Sequence, residues 1–126
     1  MKVDFLDHLV LTVLNLERTI DFYKRLLGMH EITFGNNRKA LVFGDQKINL
    51  HEYGNEYEPK AKITYPGSAD LCFITTTPIN KYKKYLISHG VSVEEGPVKK
   101  MGAKGDMLSI YIRDPDENLI EISNYK

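Results

Sequence analysis

One cysteine, no tryptophan and no surplus of charge set the first limits on this chain. Cys72 has no partner, so an internal disulfide is excluded, and cysteine usage fits a reducing compartment. Lys+Arg and Asp+Glu both number 17, which leaves no basic excess for nucleic acid or an anionic membrane. No apolar run approaches the roughly 20 residues needed to cross a bilayer. The start of the chain shows no basic segment followed by an apolar stretch and cleavage site, so no secretory leader is expected. These absences predict a cytoplasmic protein.

What is present is ordinary in amount and unusual in order. Hydrophobic residues make up 42% and charged residues 27% of 126 positions, enough for one globular domain with its own core. Two stretches then repeat. An offset of 62 residues carries His8 onto Asp70, Tyr23 onto Tyr85 and Gly28 onto Gly90. Phe5 to Val13 reads as a strand. Asn15 is a candidate N-cap, and Leu16, Ile20, Tyr23 and Leu27 recur at helical spacing before Gly28. Strands are predicted over Met29 to Phe34, Arg38 to Phe43 and Lys47 to His51, split by Gly35-Asn36-Asn37 and Gly44-Asp45-Gln46. Asn55 to Gly67, with Pro59 and Pro66, reads as a linker.

The second half runs in the same order. Leu71 to Thr75 reads as a strand, Pro78 suits a helix start, and Ile79, Tyr82 and Leu86 form a stripe that Gly90 ends. Val91 to Val93, Met107 to Ile112 and Asn118 to Ser123 are the later strands, with Asp114-Pro115-Asp116 as a turn. The basic run Lys99 to Gly105 reads as a solvated hairpin connection, with a mobile lid as the alternative. Cys72 reads as a small hydrophobe in a buried strand. The expected fold is α+β. Two βαβββ modules, about 1–54 and 68–126, would form one domain with a curved mixed sheet.

Strand phase selects the candidate site. Ile48 with Leu50, and Ile120 with Ile122, form apolar faces, which puts Asn49, His51 and Glu121 on the opposite faces. His8 and Asp70 open equivalent strands. His8, His51, Asp70 and Glu121 then become candidate ligands for Fe, Mn, Ni, Co or Zn as a divalent ion, placed on the concave side of the sheet. Each has a bland alternative. A strand histidine is commonly a hydrogen-bonded core residue, a lone glutamate between isoleucines commonly faces solvent, and Asp70 can cap a turn.

Tyr111-Ile112-Arg113-Asp114-Pro115-Asp116-Glu117-Asn118-Leu119-Ile120-Glu121-Ile122 resembles the last hairpin of the vicinal oxygen chelate superfamily. That group holds glyoxalase I, extradiol dioxygenases, and fosfomycin- and bleomycin-resistance proteins. Asp7-His8-Leu9-Val10-Leu11 looks like its first strand, and Phe22-Tyr23 with Leu26-Leu27-Gly28 like its first helix and stop. Lys47 to Glu52 and Gly67 to Cys72 are most similar to the branch called glyoxalase domain-containing protein 5, described as dioxygenase-related. The resemblance implies metal ligation by His8 and Glu121. It departs at Glu117, where the family usually has glycine, and at Asp70, where its better-known enzymes have histidine. Glyoxalase I has a fourth-strand glutamate whose place would correspond to Asn49 rather than His51.

The resemblance thus implies a metal-dependent lyase, isomerase or ring-cleaving dioxygenase whose small substrate chelates the metal through neighbouring oxygens. Glu121 or Asp70 would be the catalytic proton shuttle, and the protein would be a homodimer. A drug-sequestering binding protein of the same fold, without catalysis, is the alternative.

Overall fold

Asn15 starts the first helix for a local reason. Its backbone is extended, and its side chain accepts the Arg18 N–H that the first turn leaves unpaired. Gly28 ends the helix with φ +68°, a left-handed conformation open to glycine without a Cβ clash. The second helix lacks such a cap. Pro78 precedes it, and Asn124 from the last strand accepts the Ile79 N–H at 2.8 Å, so a distant residue replaces the local one.

The computed structural model describes all residues, Met1–Lys126. In chain order these are β1 (His8–Val13), α1 (Leu16–Leu27), β2 (His30–Phe34), β3 (Arg38–Phe43), β4 (Gln46–Glu52), β5 (Asp70–Ile74), α2 (Ile79–Ser88), β6 (Glu95–Gly102), β7 (Gly105–Arg113) and β8 (Leu119–Tyr125). The chain forms two compact units, Met1–Gly67 and Ser68–Lys126, and each is described by itself.

In the first unit the strand order is β1-β4-β3-β2, with β1 parallel to β4 and the other pairs antiparallel. In the second it is β5-β8-β7-β6, with β5 parallel to β8. The expected α+β class and the βαβββ order of each half are therefore observed. Leu11, Val13, Leu41, Ile48 and Leu50 are buried in the first unit, and Ile110, Ile112, Ile120 and Ile122 in the second. Alternation puts these side chains on one face of their sheets.

Three expectations need correction. No strand forms at Val91 to Val93; β6 begins at Glu95 and takes in Lys99 to Gly102, so the basic run is half of a hairpin with β7. Pro97 is accommodated because β6 is an edge strand whose register shifts between Glu95 and Val98. Gly96 is required there. Its φ is +108°, and a Cβ would run into the Ser109 carbonyl. Cys72 is exposed, because it lies on the face of edge strand β5 opposite to Leu71 and Phe73. The first strand also starts later than Phe5, leaving Phe5 and Leu6 exposed.

Candidate functional site

The non-apolar face of the first unit is defined by register. His8 lies opposite Lys47, Val10 opposite Asn49, and Thr12 opposite His51. On the other side of β4, Ala40 lies opposite Asn49, and the same register carries Arg38 to His51. His8 and His51 thus share a face but stand four residues apart along the strands, about 13 Å at the usual rise. His8 is exposed, with Nδ1 2.8 Å from Asp7.

His51 is only 3% exposed and belongs to a different cluster. Arg38 Nη2 is 3.5 Å from His51 Nε2, and the Tyr57 ring meets the imidazole edge-on at 5.3 Å. Burial holds the His51 pKa below its ordinary value, and the Arg38 charge adds to this, against an opposing pull from Glu56. The ring is therefore neutral near neutral pH. The Arg38 guanidinium sits 4.3 Å from the Tyr57 ring centre and 5.2 Å from that of Phe34.

Asn49, two residues before His51, has a further peculiarity. It is 7% exposed, and its Oδ1 has no hydrogen-bond partner within the protein. Such an acceptor costs free energy unless a donor or a cation reaches it.

In the second unit the corresponding face is acidic and hydroxylic. Cys72 lies opposite Glu121, and Asp70 two residues earlier, opposite Leu119. Tyr111 and Ser109 of β7 lie opposite Glu121 and Ser123. Ser109 Oγ donates to Glu121 Oε2 at 2.6 Å and lies 2.6 Å from Ser123 Oγ, which is 3.4 Å from Cys72 Sγ. One consistent set of protons runs from the thiol through both hydroxyls to the carboxylate, each hydroxyl donating once and accepting once. Burial and the neighbouring Glu121 charge push the Tyr111 phenol up to about 12. Although the residue is exposed, partial desolvation of Cys72 Sγ beside Ser123 raises its thiol pKa, and Glu121 and Asp70 raise it further, while the Ser123 hydrogen bond opposes them.

The turn before β8 fixes where Glu121 falls. Asp114 Oδ1 accepts the Asp116 and Asn118 backbone N–H groups, and Oδ2 accepts Asn118 Nδ2 at 2.9 Å. Asn118 Oδ1 in turn accepts the Ala69 N–H at 2.8 Å, which ties the start of β8 to the start of β5. Glu117 completes the turn with φ +68°.

The two faces can be laid over one another by register. Val10 and Cys72 are related by the 62-residue offset, and they lie opposite Asn49 and Glu121. Asn49, rather than His51, therefore holds the position in the first sheet that Glu121 holds in the second; His51 corresponds to Ser123. Neither unit gathers three or more His, Cys, Asp or Glu side chains able to hold a metal. The roles of Arg38, Tyr57, Tyr111 and Ser123 have no local signal in the sequence, because each depends on which strands pair.

Comparison with known proteins gives a family and close relatives. Residues 5–122 match the Glyoxalase/Bleomycin resistance protein/Dioxygenase superfamily. The virulence protein STM3117 of Salmonella typhimurium is 58% identical over 99% of this chain and 87% of its own. The glyoxalase domain-containing protein RDO1 of Mycosarcoma maydis is 56% identical over all of this chain and 71% of its own. The crystal structure of STM3117 superposes with a TM-score of 0.98, covering all of both chains.

Proposed function

This chain belongs to the glyoxalase/bleomycin resistance protein/dioxygenase superfamily, and from that membership we propose that it is a metal-dependent enzyme of the glyoxalase or dioxygenase type. The substrate is a small molecule that presents neighbouring oxygens. We assign His8, Asn49, Asp70 and Glu121 as the metal ligands. Asn49 is preferred to the expected His51 in this proposal, because His51 Nε2 faces the Arg38 cation and His51 stands four residues along the sheet from His8.

The observation that carries the reading is the buried, unpartnered Oδ1 of Asn49 at the register position equivalent to Glu121. One nitrogen and several oxygen donors suit Mn, Fe, Co, Ni or Zn as a divalent ion. When bound, such an ion supplies Lewis-acid polarisation of substrate oxygens. The chain's own contribution is orientation and proton handling. Ser109 holds the Glu121 carboxylate with Ser123 hydrogen-bonded behind it, and Tyr111 keeps its proton beside it. A displaced carboxylate, Glu121 or the exposed Asp70, shuttles the proton in the lyase or isomerase form of the reaction.

We further propose a cytoplasmic homodimer; no helix is long and apolar enough to cross a membrane. Elemental analysis of protein purified without added metal tests the central assignment, with thermal shift on adding Mn, Fe, Ni or Zn salts. A bound divalent ion, or a rise in melting temperature with one of them, is expected. Absence of both would overturn the enzyme reading and leave non-catalytic binding of a small molecule.

A further inference from the structure

We propose that Arg38, with His51 beside it, recognises a carboxylate of a small-molecule substrate. Arg38 is half-buried on the non-apolar face of the first sheet, and its guanidinium offers five N–H donors. Only His51 Nε2 accepts from it, at the long distance of 3.5 Å. No carboxylate pairs with it. Lys24, Arg25, Lys39 and Arg113, by contrast, all form ion pairs. A second cation, Lys47, also lacks an acidic partner and rests 4.4 Å from the Phe34 ring centre on the same face. The only acidic side chain acting on this cluster is Glu56, which influences His51 and is itself held by the Gly54 N–H.

The surroundings define the kind of anion. The guanidinium lies over the Phe34 and Tyr57 rings, with its carbon 5.2 Å and 4.3 Å from their centres. A planar fork pairs best with two coplanar oxygens. Rings as neighbours, rather than further N–H donors, suit a flat carboxylate on a carbon skeleton better than a tetrahedral phosphate. Asn49 Oδ1, on the same face and two residues from His51, accepts a donor on the same molecule or faces the metal. The proposal deepens the enzyme reading by naming the substrate class and rests on that reading for the purpose of the site, but anion binding itself needs no metal.

The test is run on chelator-treated protein, so loss of anion binding and loss of metal binding are read separately. Sodium lactate, sodium phosphate and sodium chloride are titrated at matched ionic strength while the Arg38 Nε–Hε and His51 ring resonances are followed by NMR. Lactate is expected to give a saturable shift that chloride does not. Arg38→Gln is expected to weaken lactate binding about tenfold or more at the His51 ring, and Arg38→Lys by less, because it keeps the charge and loses the fork. An equal response to chloride, or unchanged lactate affinity in Arg38→Gln, overturns the proposal. Tighter binding of phosphate than lactate overturns the carboxylate assignment.

Discussion

The two units share one strand order and carry opposite chemistry on equivalent faces. In β1-β4-β3-β2 the non-apolar face presents Arg38, Lys47 and a buried His51 among aromatic rings; in β5-β8-β7-β6 it presents Glu121, Ser109, Ser123, Tyr111 and Cys72. The apolar faces have not diverged in this way. Ile48 and Leu50 match Ile120 and Ile122 in position and in burial. A buried apolar face tolerates few substitutions because volume and transfer free energy are both at stake, whereas the other face can change chemistry without unmaking the fold. The two units thus repeat one scaffold and differ in the charge carried on the equivalent face.

Breaking the turn that only the second unit has should produce the largest effect. Asp114 is 4% exposed and accepts three hydrogen bonds, so Asp114→Ala leaves buried donors unpaired and should cost about 3 kcal/mol. Asp45, in an exposed turn of the first unit, should change stability by no more than about 0.5 kcal/mol when replaced by alanine. Denaturant unfolding of both variants measures the contrast. Equal losses would show that the turns are equivalent after all.

Freeing the acidic half's carboxylate comes next. Ser109→Ala removes the 2.6 Å hydrogen bond that orients Glu121, and should weaken metal affinity about 10- to 100-fold with little loss of fold. Competition with a chelating dye reads this directly.

A smaller gain is expected where the backbone is strained. Glu117 occupies φ +68°, so Glu117→Gly should stabilise the protein by about 0.5–1 kcal/mol, measured as a higher unfolding midpoint. The cationic half supplies the pH dependence. His51 is held neutral in the folded protein, while the unfolded chain takes up its proton near the ordinary value of 6.5. Its contribution is therefore complete above that value and declines as pH falls below it. The slope of stability between pH 7.5 and 5.5 should flatten in His51→Gln, with a small effect at the upper end.

Much of this was legible in the chain, for reasons that differ by element. Asn15 and Gly28 set the limits of α1 through their own backbone chemistry, so the helix could be read locally. Alternation around Ile48, Leu50, Ile120 and Ile122 assigned the faces. Glu95–Gly102 was not legible, because an edge strand with a register shift accommodates a Gly-Pro pair that elsewhere marks a break. The offset of 62 aligned strand starts but not buried helix faces. Tyr23 is fully buried while Tyr85 is 38% exposed. Likewise the preference for Asn49 over His51 in the proposed ligand set rests on the pairing of β4 with β1 and β3, and the Arg38 cluster needed residues 34, 38, 51 and 57 brought together.

The proposed ligand set is tested most directly by metal content across three variants. Purified wild-type protein and Glu121→Ala, Asn49→Ala and His51→Gln are compared by elemental analysis after equilibration with one divalent salt. Wild type and His51→Gln are expected to retain the ion, and Glu121→Ala and Asn49→Ala to lose it. Retention in Asn49→Ala together with loss in His51→Gln would contradict it.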